Sequence, residues 1–537
     1  MDRKASGYYG ISLDKAYDLL KGKKSQTVVV AVIDSGIDTT HEDLKRVLWT
    51  NPKEIPGNGI DDDHNGYVDD VHGWNFIGGK DGRNVKEDSY EAARFYHKYK
   101  SKFQSVTDAS SLSSEDQELY KMWKKAQKDV AGEPMDMLNL MLVTNAYKAA
   151  LAADSTLRKE MNKQEFSGSQ VESFSPTTEE GKIAKRKFLF LYQGLSIDMV
   201  RTNKDVLGEI GEYVEGQQRK AEAKDKAPRD YRGEIVKDNE NDINDRFYGN
   251  NDIMAGTPEH GTHVSGIIAA DRTNGIGVNG IADNVKIMMV RAVPDGDEHD
   301  KDIANAIRYA VDNGAKIINM SFGKGLSPQK QWVDDAARYA ESKGVLLVQA
   351  AGNDAQDVDT AWNFPSPIFK SDNKKATNWI TVGASGDPTN GGEVATFSNY
   401  GKERVDVFAP GVNIYSTVPG GNTYRDLSGT SMASPVTAGL AALLLEYYPT
   451  LTPQQLIFVI TKSAVVEQDK VVNPATGKQV KLSDLSRTGG EINAYEAVKL
   501  ADELTRNGKV KTEDEKIKMK DDKIKTKEKE IKLNKAA

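Results

Sequence analysis

Apolar residues along this chain fall into short unbroken runs separated by amphipathic stretches. Residues 28–33 read VVVAVI and end in Asp34-Ser35-Gly36. A run without polar alternation predicts a strand buried on both faces, followed by a turn. Comparable runs recur at Val285–Val290, Ala315–Met320, Gly344–Gln349 and Trp379–Val382. Between them, Asp302–Asp312 and Gln331–Ser342 carry apolar residues at helical spacing, and Gly314 and Gly344 stand where helices stop. Strand and helix in alternation predict an α/β fold built on a doubly wound, mostly parallel sheet, three layers deep.

The alternation breaks between residues 83 and 232, a stretch rich in Lys and Glu and poor in β-branched runs. Structureless loops of that length are rare inside a compact domain, so it predicts a large helical insertion with segments at Tyr90–Phe103, Glu115–Val130 and Met135–Ala153. The expected organisation is a main domain in two parts, 1–82 and 233–505, the insertion at 83–232, and a charged tail at 506–537. In the tail, Ile517, Ile524 and Ile531 repeat every seven positions, but Asp521 and Glu528 hold the companion places. That pattern predicts a solvated or partly disordered helix and not a coiled coil.

Composition narrows the classes. The 537 residues carry 72 Lys+Arg against 80 Asp+Glu, a net charge of −8, which argues against a nucleic-acid partner because phosphate neutralisation needs clustered cations. There is no Cys, so disulfides, thiolate zinc sites and a cysteine nucleophile are excluded. No apolar run reaches the roughly 18 residues of a membrane span. The first residues, Met1-Asp2-Arg3-Lys4, lack the apolar stretch of a signal peptide.

Three segments set an Asp, a His and a Ser beside small residues: VAVIDSGID at 30–38, EHGTHVSGIIAA at 259–270 and LSGTSMASPVTAG at 427–439. Glycines let another backbone approach a reactive side chain, and a Ser or His at a helix start sits among unpaired N–H groups. Asp34 closes a buried strand, where a carboxylate persists only when paired, for instance to an imidazole N–H. Singly, each residue reads as well as a helix cap, a surface histidine or a turn former. Separately, Asp61-x-Asp63-x-Asn65-Gly66-Tyr67-x-Asp69-Asp70 places oxygen ligands at alternate positions around a Gly, in the manner of half a calcium loop. His72 stands where an EF-hand has glutamate, and an acidic Asn-Gly turn is an equal reading. A metallohydrolase on that loop would lack paired histidines at ligand spacing.

With these motifs the chain resembles the subtilisin-like serine proteases, the subtilase family, over residues 7–48 and 246–500. Further matches are INMSFG at 318–323, QAAGND at 349–354, NWITVGAS at 378–385, ATFSNYG at 395–401 and VDVFAPGVNIYST at 405–417. The order Asp, His, Ser is also that of the family. The resemblance implies a serine endopeptidase acting through an acyl-enzyme, with Ser431 as nucleophile, His260 as general base and acid, and Asp34 holding the imidazole. It implies Asn353 as an oxyanion donor with the Ser431 backbone N–H, and Ser321, Phe322 and Gly323 as the edge that pairs with substrate backbone. Gly323 and Gly352 then leave room for a substrate side chain. Polypeptides are the implied substrates, with no cofactor for catalysis and calcium as a structural ion. Beyond the acidic loop, the resemblance points to Asp43 and Asn274 as calcium ligands, with an N-terminal ligand near Lys4. It also implies a secreted or cell-envelope protein made with an inhibitory propeptide, neither propeptide nor signal being visible in this chain. The alternative is a catalytically silent scaffold of the same family that binds a partner protein.

Three further expectations follow. Where the family continues SMASP with histidine, this chain has Val436, which is expected to alter packing and not catalysis. The acids of Asp295–Asp300 match a wall of the family's cleft and are expected either to favour basic substrate residues or to form a solvated turn. The insertion, lying in the 226-position interval between Asp34 and His260, is expected at the cleft edge, as a lid, a stabilising unit or a docking unit.

Overall fold

The computed structural model describes residues 9–506 except 133, 195–196, 198, 257, 387–391 and 467–468. The expected ligand near Lys4 and the isoleucine repeat of the tail therefore lie outside the described residues. Contacts divide the chain into two compact units, one of residues 1–88 with 231–537 and one of Ser89–Asp230.

The first unit is built on a nine-stranded sheet. Seven of its strands are β1 (Val28–Asp34), β2 (Gly73–Asn75), β3 (Val285–Arg291), β4 (Ile317–Met320), β5 (Leu346–Ala350), β6 (Trp379–Ser385) and β7 (Val407–Pro410). They lie in the order β7-β6-β5-β4-β1-β3-β2, all parallel, and Gly490–Glu491 and Val465–Val466 extend the β7 edge. The unbroken apolar runs are explained by two-sided burial. Val30 and Val32 face a core shared with the helices Glu259–Ala269 and Thr430–Tyr447, whereas Ala31 and Ile33 face one shared with Asp300–Asp312 and Lys330–Ser342. Gly314 and Gly344 follow the last two helices with φ of +89° and +69°, the left-handed conformation that ends a helix. From β1 the chain builds outward to β3 on one side and then to β4, β5, β6 and β7 on the other. The order thus reverses between β1 and β4, and in doubly wound sheets ligands bind in the crevice beyond the strand ends at such a reversal.

The second unit is helical, with Glu91–Phe103, Ser114–Ala131, Pro134–Met161, Gly168–Ser173, Glu179–Gly194 and Asn203–Glu222. Ser113, Ser167 and Thr202 cap three of these helices through their side chains. Leu157, Phe166, Phe188, Tyr192 and Leu207 form a core internal to this unit. Its bounds differ from the expected 83–232. Residues 83–88 are tied to the sheet unit by Val85 N–Ile77 O and Asp88 N–Asp295 O bonds of 2.9 and 2.8 Å. On return, Arg232 is fully buried, donating to Asp302 and Asp238 at 2.7 Å each.

Candidate active site

Asp34 is the last residue of β1, and parallel pairing with β3 and β4 delivers it to the crevice. It is buried, and its Oδ1 accepts from His260 Nδ1 at 2.8 Å and from the Ser35 N–H at 2.7 Å. Its Oδ2 is buried without a partner. His260 is the second residue of Glu259–Ala269, so the helix begins before the histidine. The next residue must be glycine, because a Cβ on Gly261 would lie 2.2 Å from Gly36 O and 3.1 Å from Asp34 Cβ. Burial pulls the His260 pKa down, but the charge of Asp34 and the hydrogen bond to it outweigh this and leave the imidazole above its ordinary value. The His260 side chain remains 38% exposed. His263, one turn on, is buried, gives its Nε2 to Arg425 O, and is lowered to about 4 by that burial, which fits a structural role.

Ser431 is likewise the second residue of its helix, Thr430–Tyr447, where backbone N–H groups have no intrahelical acceptor. Pro435 lies inside this helix and has no N–H for the carbonyl four residues back, Ser431 O. The Ser321 hydroxyl takes that acceptor at 2.9 Å, and the Ser431 hydroxyl in turn donates to Ser321 O at 3.0 Å. Nucleophile candidate and substrate-edge candidate are thus locked together just beyond β4. Among the described residues, no hydrogen bond joins Ser431 Oγ to His260. Val436 is buried in the core.

Asn353 follows β5, and its orientation is set by what it accepts. Its Oδ1 takes the Thr430 N–H at 2.9 Å and the Thr430 hydroxyl at 3.0 Å, which leaves Nδ2 unspent. The Thr430 hydroxyl also accepts the Gly352 N–H at 3.0 Å. Gly352 has φ +101° and a Cβ there would meet Asn399 Nδ2 at 2.4 Å, so no side chain fits. Asn399 splints the loop, accepting from the Asp354 and Gln356 N–H groups at 3.0 and 2.8 Å while donating to Ala351 O at 2.9 Å. Thr430 and Asn399 were inside quoted motifs but carried no sign of these roles. Phe322 is half-buried and Gly323 exposed, and among the described residues their backbone groups have no partner, leaving an edge for an extended chain.

Other expectations change. In the segment Asp295–Asp300, Glu298 and Asp300 are buried. Asp300 pairs with Lys324 at 3.0 Å, and burial pushes the Glu298 carboxyl up to about 8, so neither offers a charge to a basic substrate. Of the expected metal ligands, Asp43 and Asn274 do meet, but Asn274 faces Asp43 with its Nδ2 at 2.7 Å while its carbonyl accepts the Ile276 N–H. Asp69 is not among the carboxylates that converge here. Asn65 Oδ1 caps the Tyr67 N–H at 2.8 Å, and Asp69, at φ +53°, turns both oxygens to the Gly57 and Gly59 N–H groups at 2.8 Å. Asp61 and Asp63 instead meet Glu54, which the sequence pattern did not single out.

The subtilase family profile matches residues 25–490. A thermophilic serine proteinase from Bacillus sp. (strain AK1) is 46% identical over 186 residues, covering 34% of this chain and 42% of that protein. Subtilisin DY from Bacillus licheniformis is 41% identical over 201 residues, 37% of this chain and 67% of its own. A cell wall-associated protease of Bacillus subtilis (strain 168) is 36% identical over 225 residues, 42% of this chain and 23% of its own. The chain therefore spans between about a quarter and two thirds of the length of these relatives.

Proposed function

The chain belongs to the subtilase family, and on that footing we propose that it is a serine endopeptidase that cuts polypeptides through an acyl-enzyme on Ser431. The observation that carries this reading is the Asp34–His260 bond, made from a helix that packs against the one holding Ser431 at its N-terminus, with Asn353 Nδ2 unspent.

A substrate strand pairs with the Ser321–Gly323 edge and brings its scissile carbonyl to Ser431. The Ser431 hydroxyl leaves Ser321 O and turns to His260 Nε2, which takes the proton as the Oγ–C bond forms. The oxyanion is received by Asn353 Nδ2 and the Ser431 N–H, two donors that need no reorganisation because Thr430 and the helix already fix them. His260 then passes its proton to the leaving amine as the C–N bond breaks. Water attacks the ester by the reverse exchange, its proton going to His260 and then back to Ser431 Oγ. Asp34 holds Nδ1 protonated and stabilises the imidazolium at each stage. Work outside the cell, in the secreted or cell-envelope setting, and synthesis with an inhibitory propeptide accompany this reading.

A fluorophosphonate probe with intact-mass analysis tests it. One adduct per chain is expected, absent from Ser431→Ala. A folded, unlabelled parent chain would instead favour the catalytically silent scaffold that binds a partner protein.

A further inference from the structure

Between Trp49 and β2 the chain carries six carboxylates, Glu54, Asp61, Asp62, Asp63, Asp69 and Asp70, with Lys53 the one Lys or Arg of residues 50–72. Among the described residues, none of the six is paired with a Lys or Arg. Three are held by neutral donors and take no part in the cluster that the other three form. Asp62 takes the Ile55 N–H and Asn58 Nδ2 at 3.0 and 2.8 Å, and Asp69 takes two glycine N–H groups. Asp70 takes Asn51 Nδ2 at 2.8 Å, Asn65 Nδ2 at 3.1 Å and the Tyr309 hydroxyl at 2.6 Å.

The other three converge. Ligand oxygens of Glu54, Asp61 and Asp63 all lie within 4.8 Å of one another. Glu54 is only 7% exposed. Its Oε1 accepts the Asp62 and Asp63 N–H groups at 3.0 and 3.2 Å, yet its Oε2 is buried with no partner. A buried carboxylate oxygen without a donor, held against two further carboxylates, is a cost that folding does not sustain without compensation. Asn65 N, Gly66 N and Asn51 Nδ2 hold Asp61 and Asp63 in place at 2.8–3.3 Å but do not reach that oxygen. Two oxygens bound to one calcium ion at about 2.4 Å lie at most about 4.8 Å apart.

We propose that Glu54, Asp61 and Asp63 bind a hard divalent cation of the calcium class, with Glu54 Oε2 as the inward ligand and water or backbone carbonyls completing the shell. The ion takes no part in the chemistry. It stiffens the loop that enters β2, whose Asn75 Oδ1 accepts from Arg291 Nη1 at 3.0 Å, while Arg291 Nε donates at 2.9 Å to Ser35 O beside Asp34.

The test is calcium titration by calorimetry on the chelator-stripped full chain carrying Ser431→Ala, so that the readout is independent of activity. Glu54→Gln and Asp61→Asn are each expected to lose one calcium-binding event per chain with unchanged far-UV circular dichroism, and to lose part of the calcium-dependent rise in Tm. Asp61 is half exposed and serves should Glu54→Gln fail to fold. Asp43→Asn should leave this event intact. Parent stoichiometry in both folded variants, no binding to the parent chain, loss of the event on Asp43→Asn alone, or tighter binding of magnesium than calcium would overturn the assignment.

Discussion

Asn353 performs two tasks with opposite ends of one amide, and a pair of substitutions separates them. Its Oδ1 accepts from the Thr430 N–H and hydroxyl, capping the Thr430–Tyr447 helix from a neighbouring loop. On the proposed mechanism its Nδ2 faces the oxyanion. Asn353→Asp preserves the acceptor and places a negative charge at a helix N-terminus, worth about 0.3–1 kcal/mol of added stability. It removes the donor, and the loss expected is at least about 10²–10³ in kcat, a figure established on subtilisin and carried here by kinship. That corresponds to about 2.7–4 kcal/mol of transition-state stabilisation, with charge repulsion in addition. Asn353→Ala removes both ends, so a similar loss of kcat is joined by about 0.5–2 kcal/mol of lost stability, the range for deleting an N-cap. The assay is kcat on a short peptide substrate beside urea unfolding of each variant. Asn353→Asp within tenfold of parent kcat would refute the oxyanion assignment, and Asn353→Ala as stable as the parent would refute the capping assignment.

Three further predictions follow from burial and charge. The kcat/KM should rise with pH as His260 deprotonates, with a midpoint above the ordinary histidine value; Asp34→Asn removes the raising charge, leaves burial, and should move that limb to lower pH on a pH–rate profile. An unmoved limb would show that Asp34 does not set it. Glu446 is buried, and that burial raises its carboxyl from 4.5 to about 9. Between those values the folded chain keeps a proton that the unfolded chain releases, so stability falls as pH rises across the window. Glu446→Gln should flatten the dependence and stabilise the protein at pH 8, and a parallel curve from urea midpoints would contradict the assignment. Finally, Asp302 accepts from Arg232 at 2.8 and 2.7 Å and from the Tyr248 hydroxyl at 2.6 Å. Lys301 and Arg232 balance Asp238 and Asp302 in this buried set, so Asp302→Asn leaves one cation uncompensated and should cost about 3–5 kcal/mol. A loss below about 1 kcal/mol in urea unfolding would mean the network is not closed to water.

The sheet strands were legible because two-sided burial leaves a mark no surface segment carries, an apolar run without alternation. Asp34, His260 and Ser431 were legible because each sits in a local motif whose glycines exist for close approach, as Gly261 against Gly36 shows. The insertion's bounds were not, since residues 83–88, Val85 apart, and Arg232 are polar in letters and belong to the sheet unit only through pairings made across the fold. Thr430 and Asn399 were hidden for a related reason. Their work is to accept and donate hydrogen bonds to backbone groups, and that depends on which loop is adjacent.

The acidic loop makes the limit of such reading physical. Alternate spacing singled out Asp69, but at its left-handed turn the two oxygens take glycine amides and the residue is not among the carboxylates that converge. Glu54 lies outside the repeating pattern, and its distinguishing feature is a buried oxygen that lacks a donor. Charge spacing reports where ligands can occur, whereas the hydrogen-bond inventory reports which carboxylates still need one. Asp61 and Asp63 have both oxygens held by N–H groups, so it is Glu54 Oε2, which loses no donor on binding metal, that sets their cluster apart. Burial, which pushes the Glu298 carboxyl up to about 8, is what separates it from the less buried acids beside it in sequence. For this chain, three convergent carboxylates with an orphaned oxygen among them are therefore the better guide to a metal site than a run of Asp.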